Sequence, residues 1–354
     1  MATPNPAQEI ADEIRNLQLK VEDLQGNVHL SKTREAVEDL QTMVNGLTQR
    51  VANLRTRGYI FEKELENQGQ TLAKSWLTLY PNIESQINLQ SSTMENSLRP
   101  IEMQMSQLAA LTSNPGAARG LLSTIQSAVD LLEEKVSATE RTIAGMYDQL
   151  SNEVTRFTNH LSEIEYLVTQ LAEANFQLLP TEGGIAAIKG VWCKTGKEQK
   201  GDPEGVLYLT DQRILFEQKE EIVTKKVLFM ATEKQKVQQL QIECPVSLVE
   251  RVDLSKQGLL KNEDHIEVRF ASGAPVEVAH FHIWQDNAIW QQLINRAKSK
   301  DFDKERAVAI DQSGIDKIKT APSQCPSCGG NITQVVFRGM DSLTCEYCGY
   351  VIRL

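Results

Sequence analysis

The sequence has little that would suit a membrane, an oxidising compartment or a nucleic acid. No stretch approaches the ~18 consecutive apolar residues of a membrane span, and the opening Met-Ala-Thr-Pro-Asn-Pro lacks the charged and apolar regions of a secretory signal. Aromatic residues make up only 6 % of the 354 residues, and there are five histidines and six cysteines. Four of those cysteines sit in two tight pairs, while Cys193 and Cys244 are scattered. This suits a reducing compartment with a metal site and two free buried thiols better than a disulfide framework. Basic charge is also in short supply. The formal net charge is -10, and the acidic excess lies before residue 180. Duplex nucleic acid draws most of its non-specific affinity from Lys and Arg neutralising phosphates, so general nucleic-acid binding is disfavoured. The expected location is cytoplasmic, with peripheral membrane contact as an option.

Among the residues that are present, apolar periodicity dominates the first half. Ile10, Ile14, Leu17, Val21, Leu24 and Val28 fall at steps of four and three, the spacing of a coiled-coil seam. The pattern slips between Gly26 and Thr33 and resumes with Val37, Leu40, Val44, Leu47, Val51 and Leu54. Pro81 is expected to end this stretch. A second helix is expected over Ile83 to Leu108, with Pro100 as a kink, and a turn at Asn114-Pro115-Gly116. A third stripe, from Leu122 to Leu171, is the longest clean heptad run. Its fifty residues would reach ~75 Å at 1.5 Å each, so another helix must cover it, from the same chain or from a second one. An oligomerising stalk is the expectation, with self-association through the coiled coil as the simplest form.

At Pro180 the period changes to two. Segments at Ile185 to Cys193, Gly205 to Leu209, Arg213 to Phe216, Glu221 to Phe229, Leu240 to Glu243, His265 to Ala271 and Val276 to Ile283 read as short strands. Trp284 to Lys300 reads as a closing amphipathic helix. Glu204 to Gln218, EGVLYLTDQRILFEQ, resembles the signature hairpin of GRAM domains, and Val246 to Val252 is similar to the strand those domains place mid-barrel. The resemblance covers about a third of the chain, and the segment Ala231 to Gln239 departs from the usual pattern. It implies a PH-like barrel of a kind that binds phosphoinositides, other anionic lipids or protein partners and is not catalytic by itself. Candidate lipid-contacting residues are Lys189, Lys194, Lys197 and Lys200, which flank the turn between the first two strands. Lysines on a turn can meet phosphate as point charges.

Two other patterns in this region carry less. Gly190 to Glu198 is not a phosphate loop, because five residues separate Gly190 from Gly196 and Glu198 stands where Ser or Thr must hold magnesium. His280 and His282 share a strand face, but only Glu277 and Asp286 are near them in sequence, so they read as surface or half-buried strand histidines.

The tail holds the most specific signal. Cys325-Pro326-Ser327-Cys328-Gly329 and Cys345-Glu346-Tyr347-Cys348-Gly349 are separated by the sixteen residues Gly329 to Thr344. Two cysteines three apart on a tight turn aim both sulfurs at one ion, and two such knuckles complete a tetrahedron. The expectation is a structural zinc site of Cys325, Cys328, Cys345 and Cys348, with iron as the lesser alternative and strand character at Ile332 to Phe337.

The fold class expected is therefore multidomain: an all-α coiled coil at 1–179, a GRAM/PH-like β-barrel with a capping helix at 180–300, a linker at 301–323 and a small zinc ribbon at 324–354. No activated nucleophile, paired-carboxylate motif or phosphate loop is visible, so a non-enzymatic adaptor is the expected function. It would recognise a protein partner or an anionic membrane surface. The alternative is a nucleic-acid-associated protein that uses the ribbon as its contact.

Overall fold

The computed structural model describes residues 6–111, 115–227, 230–310 and 320–354. The chain falls into two compact units, one of residues 1–49 and 67–158 and the other of residues 50–66 and 159–354.

The first unit is helical. It takes in α1 (Pro6–Asn27), most of α2 (Ser31–Thr56), α3 (Leu65–Ala110), α4 (Pro115–Gly145) and the start of α5 (Asp148–Ala172). The stripe residues Ile10, Leu17, Leu24, Val37, Leu40 and Leu47 are buried, as are Ile83, Met94, Leu108, Ile125, Val129 and Val154. They are covered by helices of this same chain, with α1 packed on α4. Polar links flank the seams, from Lys20 to Asp130 at 3.1 Å, Gln25 to Glu102 at 2.6 Å and Arg34 to Asn88 at 2.9 Å.

The slip seen after Gly26 is a true break, in which Leu30 takes a left-handed φ of 54° between α1 and α2. Pro81 does not end a helix, contrary to expectation, because α3 runs through both Pro81 and Pro100. An interior proline costs about 3 kcal/mol. Trp76, Ile83, Ile87, Met94, Leu98 and Ile101 are all buried along α3, and at about 1.5–3 kcal/mol for each side chain that burial outweighs both prolines. The third stripe is likewise not one helix, since α4 and α5 are separated at Met146 and Tyr147. The turn expected at Asn114-Pro115-Gly116 begins outside the described residues, and α4 opens at Pro115, where the missing N–H has no intrahelical partner to lose.

The second unit is built on a seven-stranded antiparallel sheet of order β4-β3-β2-β1-β7-β6-β5. The strands are β1 (Gly184–Trp192), β2 (Glu204–Thr210), β3 (Arg213–Val227), β4 (Met230–Pro245), β5 (Val249–Gln257), β6 (Glu263–Phe270) and β7 (Val278–Ile283), followed by α6 (Asn287–Lys298). This order, with one helix after β7, is consistent with the PH-like outline. Leu207, Leu209, Ile214, Phe216, Ile266, Phe281 and Ile283 form the core with Trp290 and Ile294 of α6. Phe216 and Phe281 meet at 5.5 Å between ring centroids. Helix α6 is capped by Asp286, whose carboxylate accepts the Ala288 N–H at 2.8 Å.

β3 and β4 form a longer ribbon than the short strands expected at Arg213 to Phe216, Glu221 to Phe229 and Leu240 to Glu243. Pairing runs from Arg213 opposite Pro245 to Val227 opposite Met230, with bulges between Phe216 and Glu217 and around Val223. Residues 228 and 229, at the end of the expected strand, lie outside the described residues. The divergent segment Ala231 to Gln239 is the first half of β4.

The opposite face of β2 and β3 is covered too. Val206, Tyr208 and Leu215 pack with Leu171, Ala174 and Phe176 from the end of α5 and the chain that follows it. Below this layer Glu217 is wholly buried. It accepts from the Asn175 N–H at 2.6 Å, the Tyr208 hydroxyl at 3.2 Å and Gln238 at 3.0 Å, which satisfies the burial of its carboxylate.

Candidate metal centre

The cysteine-rich tail is part of the second unit. Its two knuckles are near copies of each other. The Gly329 N–H donates to the Cys325 carbonyl at 2.8 Å and the Gly349 N–H to the Cys345 carbonyl at 2.9 Å. Both glycines have a φ of 72°, a left-handed turn that the curl under each pair requires. Strands β8 (Ser342–Thr344) and β9 (Val351–Arg353) pair behind the second knuckle. Residues Ile332 to Phe337, expected to be a strand, are irregular. The chain then turns at Gly339, where φ is 90° and a Cβ would lie 2.9 Å from Pro180.

One sulfur from each of Cys325, Cys328, Cys345 and Cys348 lies within 4.8 Å of the others. Cys325 and Cys348 are 3.7 Å apart at their sulfurs, and Cys328 and Cys345 3.6 Å. A tetrahedral zinc with Zn–S bonds of about 2.3 Å places its sulfurs about 3.8 Å apart, so the spacing suits a single ion. The Cys348 backbone N–H is the main influence that draws Cys345 down to about 7. For Cys328 the Gly330 N–H favours the thiolate, but shared protons with Cys348 and the other sulfurs outweigh it and push it up to about 12. Four thiolates side by side need a cation between them. Behind them Leu343 and Ile352 are buried with Ile332, Val336, Met340 and Leu354 packed around. That is a small core for thirty residues, and metal binding would have to supply much of its folding free energy.

The tail is seated on the sheet through Arg338. Its guanidinium pairs with Asp211 in the β2–β3 turn and reaches Thr181 Oγ1 at 3.1 Å, while its backbone N–H and C=O bond with the Gln212 side chain at 2.7 and 3.0 Å. Asp211 also holds Arg306 at 2.8 Å. The next residue of the hairpin signature, Arg213, is spent on Glu182 and Glu243. Thus Asp211, Gln212 and Arg213, which carried the family resemblance, do structural work at this seat.

The lysines expected to contact lipid are divided. Lys194, Lys197 and Lys200 are exposed in the loop between β1 and β2, where Lys194 lies 5.2 Å from the Trp192 ring. Lys189 is on β1 and lines a cavity of about 610 Å³ with Ile185, Ala187, Ile289, Leu293, Trp284 and Arg296, closed on another side by His160 and Glu163 of α5.

Sequence reasoning missed a further cluster. His280 and His282 are buried, together with His265, which stands directly opposite His282 across β6 and β7. Burial foremost, and then the neighbouring His282 and His280, push His265 down to about 4, so its ring is neutral at physiological pH. Glu198, Glu263, Glu267 and Cys193 surround the three rings. No local signal marks this cluster, because only strand register joins its members.

No protein-family model matches the sequence, and no curated protein matches it either. Among solved structures, the DH/PH domains of p115-RhoGEF align at 9 % identity over 84 % of this chain and 95 % of that one, with a TM-score of 0.22. A point mutant of the same domains aligns at 10 % identity over 84 % and 98 %, with a TM-score of 0.20. Likeness at those values carries no argument about this chain. Among the described residues, no helix is long and apolar enough to cross a membrane.

Proposed function

We propose that this chain is a non-enzymatic binding scaffold in which the four-cysteine tail takes up zinc and serves as a structural brace on a PH-like sheet. The zinc would be held by Cys325, Cys328, Cys345 and Cys348, with no protein-free position for chemistry. One observation favours this over a nucleic-acid contact through the ribbon. Arg338, one of only two cations the ribbon has, is 8 % exposed and turned inward onto Asp211. That leaves Arg353 against Asp341 and Glu346, which is too little positive charge to hold a phosphate backbone.

Recognition is then assigned to the sheet unit, with a protein partner as the first reading and an anionic cytoplasmic membrane face as the second. The cavity beside β1 and α6 supports the first, because its walls are largely apolar and include the exposed Trp284 and Ile289. The three loop lysines support the second.

The test uses the intact chain. It is titrated with labelled duplex and single-stranded oligonucleotides at low salt, and in parallel with vesicles containing phosphatidylserine. Oligonucleotide affinity in the micromolar range that disappears with Arg353→Ala would overturn the brace reading. Vesicle binding that weakens with salt and is lost in Lys194→Glu/Lys197→Glu/Lys200→Glu would select the membrane face. Absence of both, with partner capture lost in Trp284→Ala, would select a protein partner.

A further inference from the structure

Along β6 and β7, the side chains of Ile266, Val268, Ala279, Phe281 and Ile283 enter the core. The alternate positions carry Glu263, His265, Glu267, His280 and His282 on the other face. The β1–β2 loop lies on that face, since Glu198 Oε2 is 2.5 Å from His282 Nδ1. The three rings are packed closely, with His265 stacked on His282 at 4.7 Å and His282 on Trp284 at 4.8 Å.

The hydrogen bonds fix which ring nitrogens carry protons. A carboxylate only accepts, so His280 Nδ1, 3.5 Å from Glu267 Oε2, is a donor. His280 Nε2 is then an acceptor, and its single lone pair takes the His265 Nδ1–H at 3.1 Å, the shorter of its two approaches, with the Gln257 amide beside it at 3.3 Å. What remains is His265 Nε2, a bare lone pair on a ring with no solvent exposure and no hydrogen-bond partner. A buried acceptor left in that state costs about 1–3 kcal/mol. Glu263 Oε2, another acceptor, lies 3.9 Å from it.

Two acceptors facing each other need a cation. We propose that Glu263, His265 and His282 form a second metal site, separate from the four cysteines, for a divalent transition ion of the zinc class. Their three ligand atoms lie within 4.8 Å of one another, against roughly 3.4 Å for neighbouring ligands on a tetrahedral ion with 2.0–2.2 Å bonds. Rotation of the Glu263 side chain, which is 41 % exposed, closes that difference. Each histidine already has the outer partner that a metal-bound imidazole takes. His282 donates to Glu198, and His265 donates to His280, which in turn donates to Glu267. Gly258, at a φ of 81°, makes room for the Glu263 carboxylate, because a Cβ there would lie 2.5 Å from it. A competing trio of Cys193, His265 and His280 also lies within 4.8 Å. It is closed to an ion because a proton already joins the two rings and the Cys193 thiol donates to the Val191 carbonyl at 3.8 Å. Two imidazoles and one carboxylate leave a fourth position open and select zinc, cobalt, nickel or copper over magnesium or calcium.

The experiment takes the full-length chain, freed of any affinity tag, in a Cys345→Ser/Cys348→Ser background that disables the tail site. Calorimetric titration with Zn²⁺ is expected to show about one ion per chain, and Co²⁺ is expected to give visible d–d bands without the intense sulfur-to-cobalt charge transfer. Glu263→Gln, which removes only an exposed carboxylate, is expected to weaken Zn²⁺ binding about 10- to 100-fold while circular dichroism stays unchanged. His265→Gln is expected to abolish it. Failure of the tail-disabled chain to take up Zn²⁺ at 100 µM overturns the site. So does Zn²⁺ affinity that Glu263→Gln and His265→Gln both leave unchanged.

Discussion

Arg338, in the cysteine-rich tail, and Asp211, in the turn between β2 and β3, form an ion pair whose side chains keep only 10 % and 4 % of their surface in solvent. Asp211 holds Arg306 as well, and its other oxygen accepts the Gly183 N–H at 2.9 Å. One carboxylate therefore joins three separate pieces of chain. Removing one partner of a buried pair leaves the other charge uncompensated, which costs about 3–5 kcal/mol. Asp211→Asn is expected to lower stability by that amount in urea unfolding. A loss below about 1 kcal/mol would mean that the two arginines find solvent without it.

Metal removal addresses the same junction from the tail side. Structural zinc in comparable peptides contributes an apparent 10–16 kcal/mol, so Cys345→Ser or exhaustive chelation is expected to release residues 324–354 to protease while the sheet unit stays intact. Elemental analysis should find zinc with no iron absorption. A metal-free tail as resistant as the loaded one would remove the case for a metal-held ribbon.

His160 and Glu62 supply a pH dependence. Their side chains meet at 2.6 Å, with Glu163 3.8 Å away on the other ring nitrogen and the Tyr59 hydroxyl 2.7 Å from Glu62. The hydrogen bond to Glu62 raises the His160 pKa. Burial works against the Glu62 charge, but the bonds from His160 and Tyr59 outweigh it and hold this carboxyl below its usual range. The His160 contribution is complete below the unfolded value of about 6.5 and is lost as pH rises through the higher folded value. The Glu62 contribution is complete above about 4.3 and is lost as pH falls through the depressed value. The stability difference between the native chain and His160→Gln should therefore be largest near pH 5–6 and shrink in alkali. A difference that grows above pH 8 would contradict the assignment.

Self-association is a separate matter. The heptad stripes are covered inside one chain, so sedimentation equilibrium should return the monomer mass of 39.7 kDa. A dimer would mean that exposed Leu77, Leu89, Met103 and Leu131 hold the copies together.

Local periodicity and spacing carried much of this structure. The stripe residues are buried as their steps of three and four require, the hairpin from Glu204 to Gln218 pairs as β2 and β3, and the four cysteines converge. Features that depend on distant chain were not legible. Pro81 and Pro100 look like helix ends until the burial around them is counted. Arg338 looks like a surface cation until Asp211 is seen beneath it. His265 lies seventeen residues before His282, and nothing but the β6–β7 register sets them face to face. The same holds for Glu198, which reaches the site from the far end of another loop.

The short passage between α2 and α3 sets a limit on how this protein can assemble during synthesis. Phe61 packs on Phe302 at 5.7 Å, Arg306 lies over the Phe61 ring, and two backbone bonds join Lys63 to Glu305 and Ala307 to Ile60. The partners are 241 residues apart by number, 302 less 61. At the usual 5–20 residues per second, a ribosome takes roughly 12 to 48 s to cover that distance. Phe61 thus emerges long before Phe302 and Arg306 exist to pack on it, and the nascent chain must carry that side of the ring bare until the segment after α6 arrives.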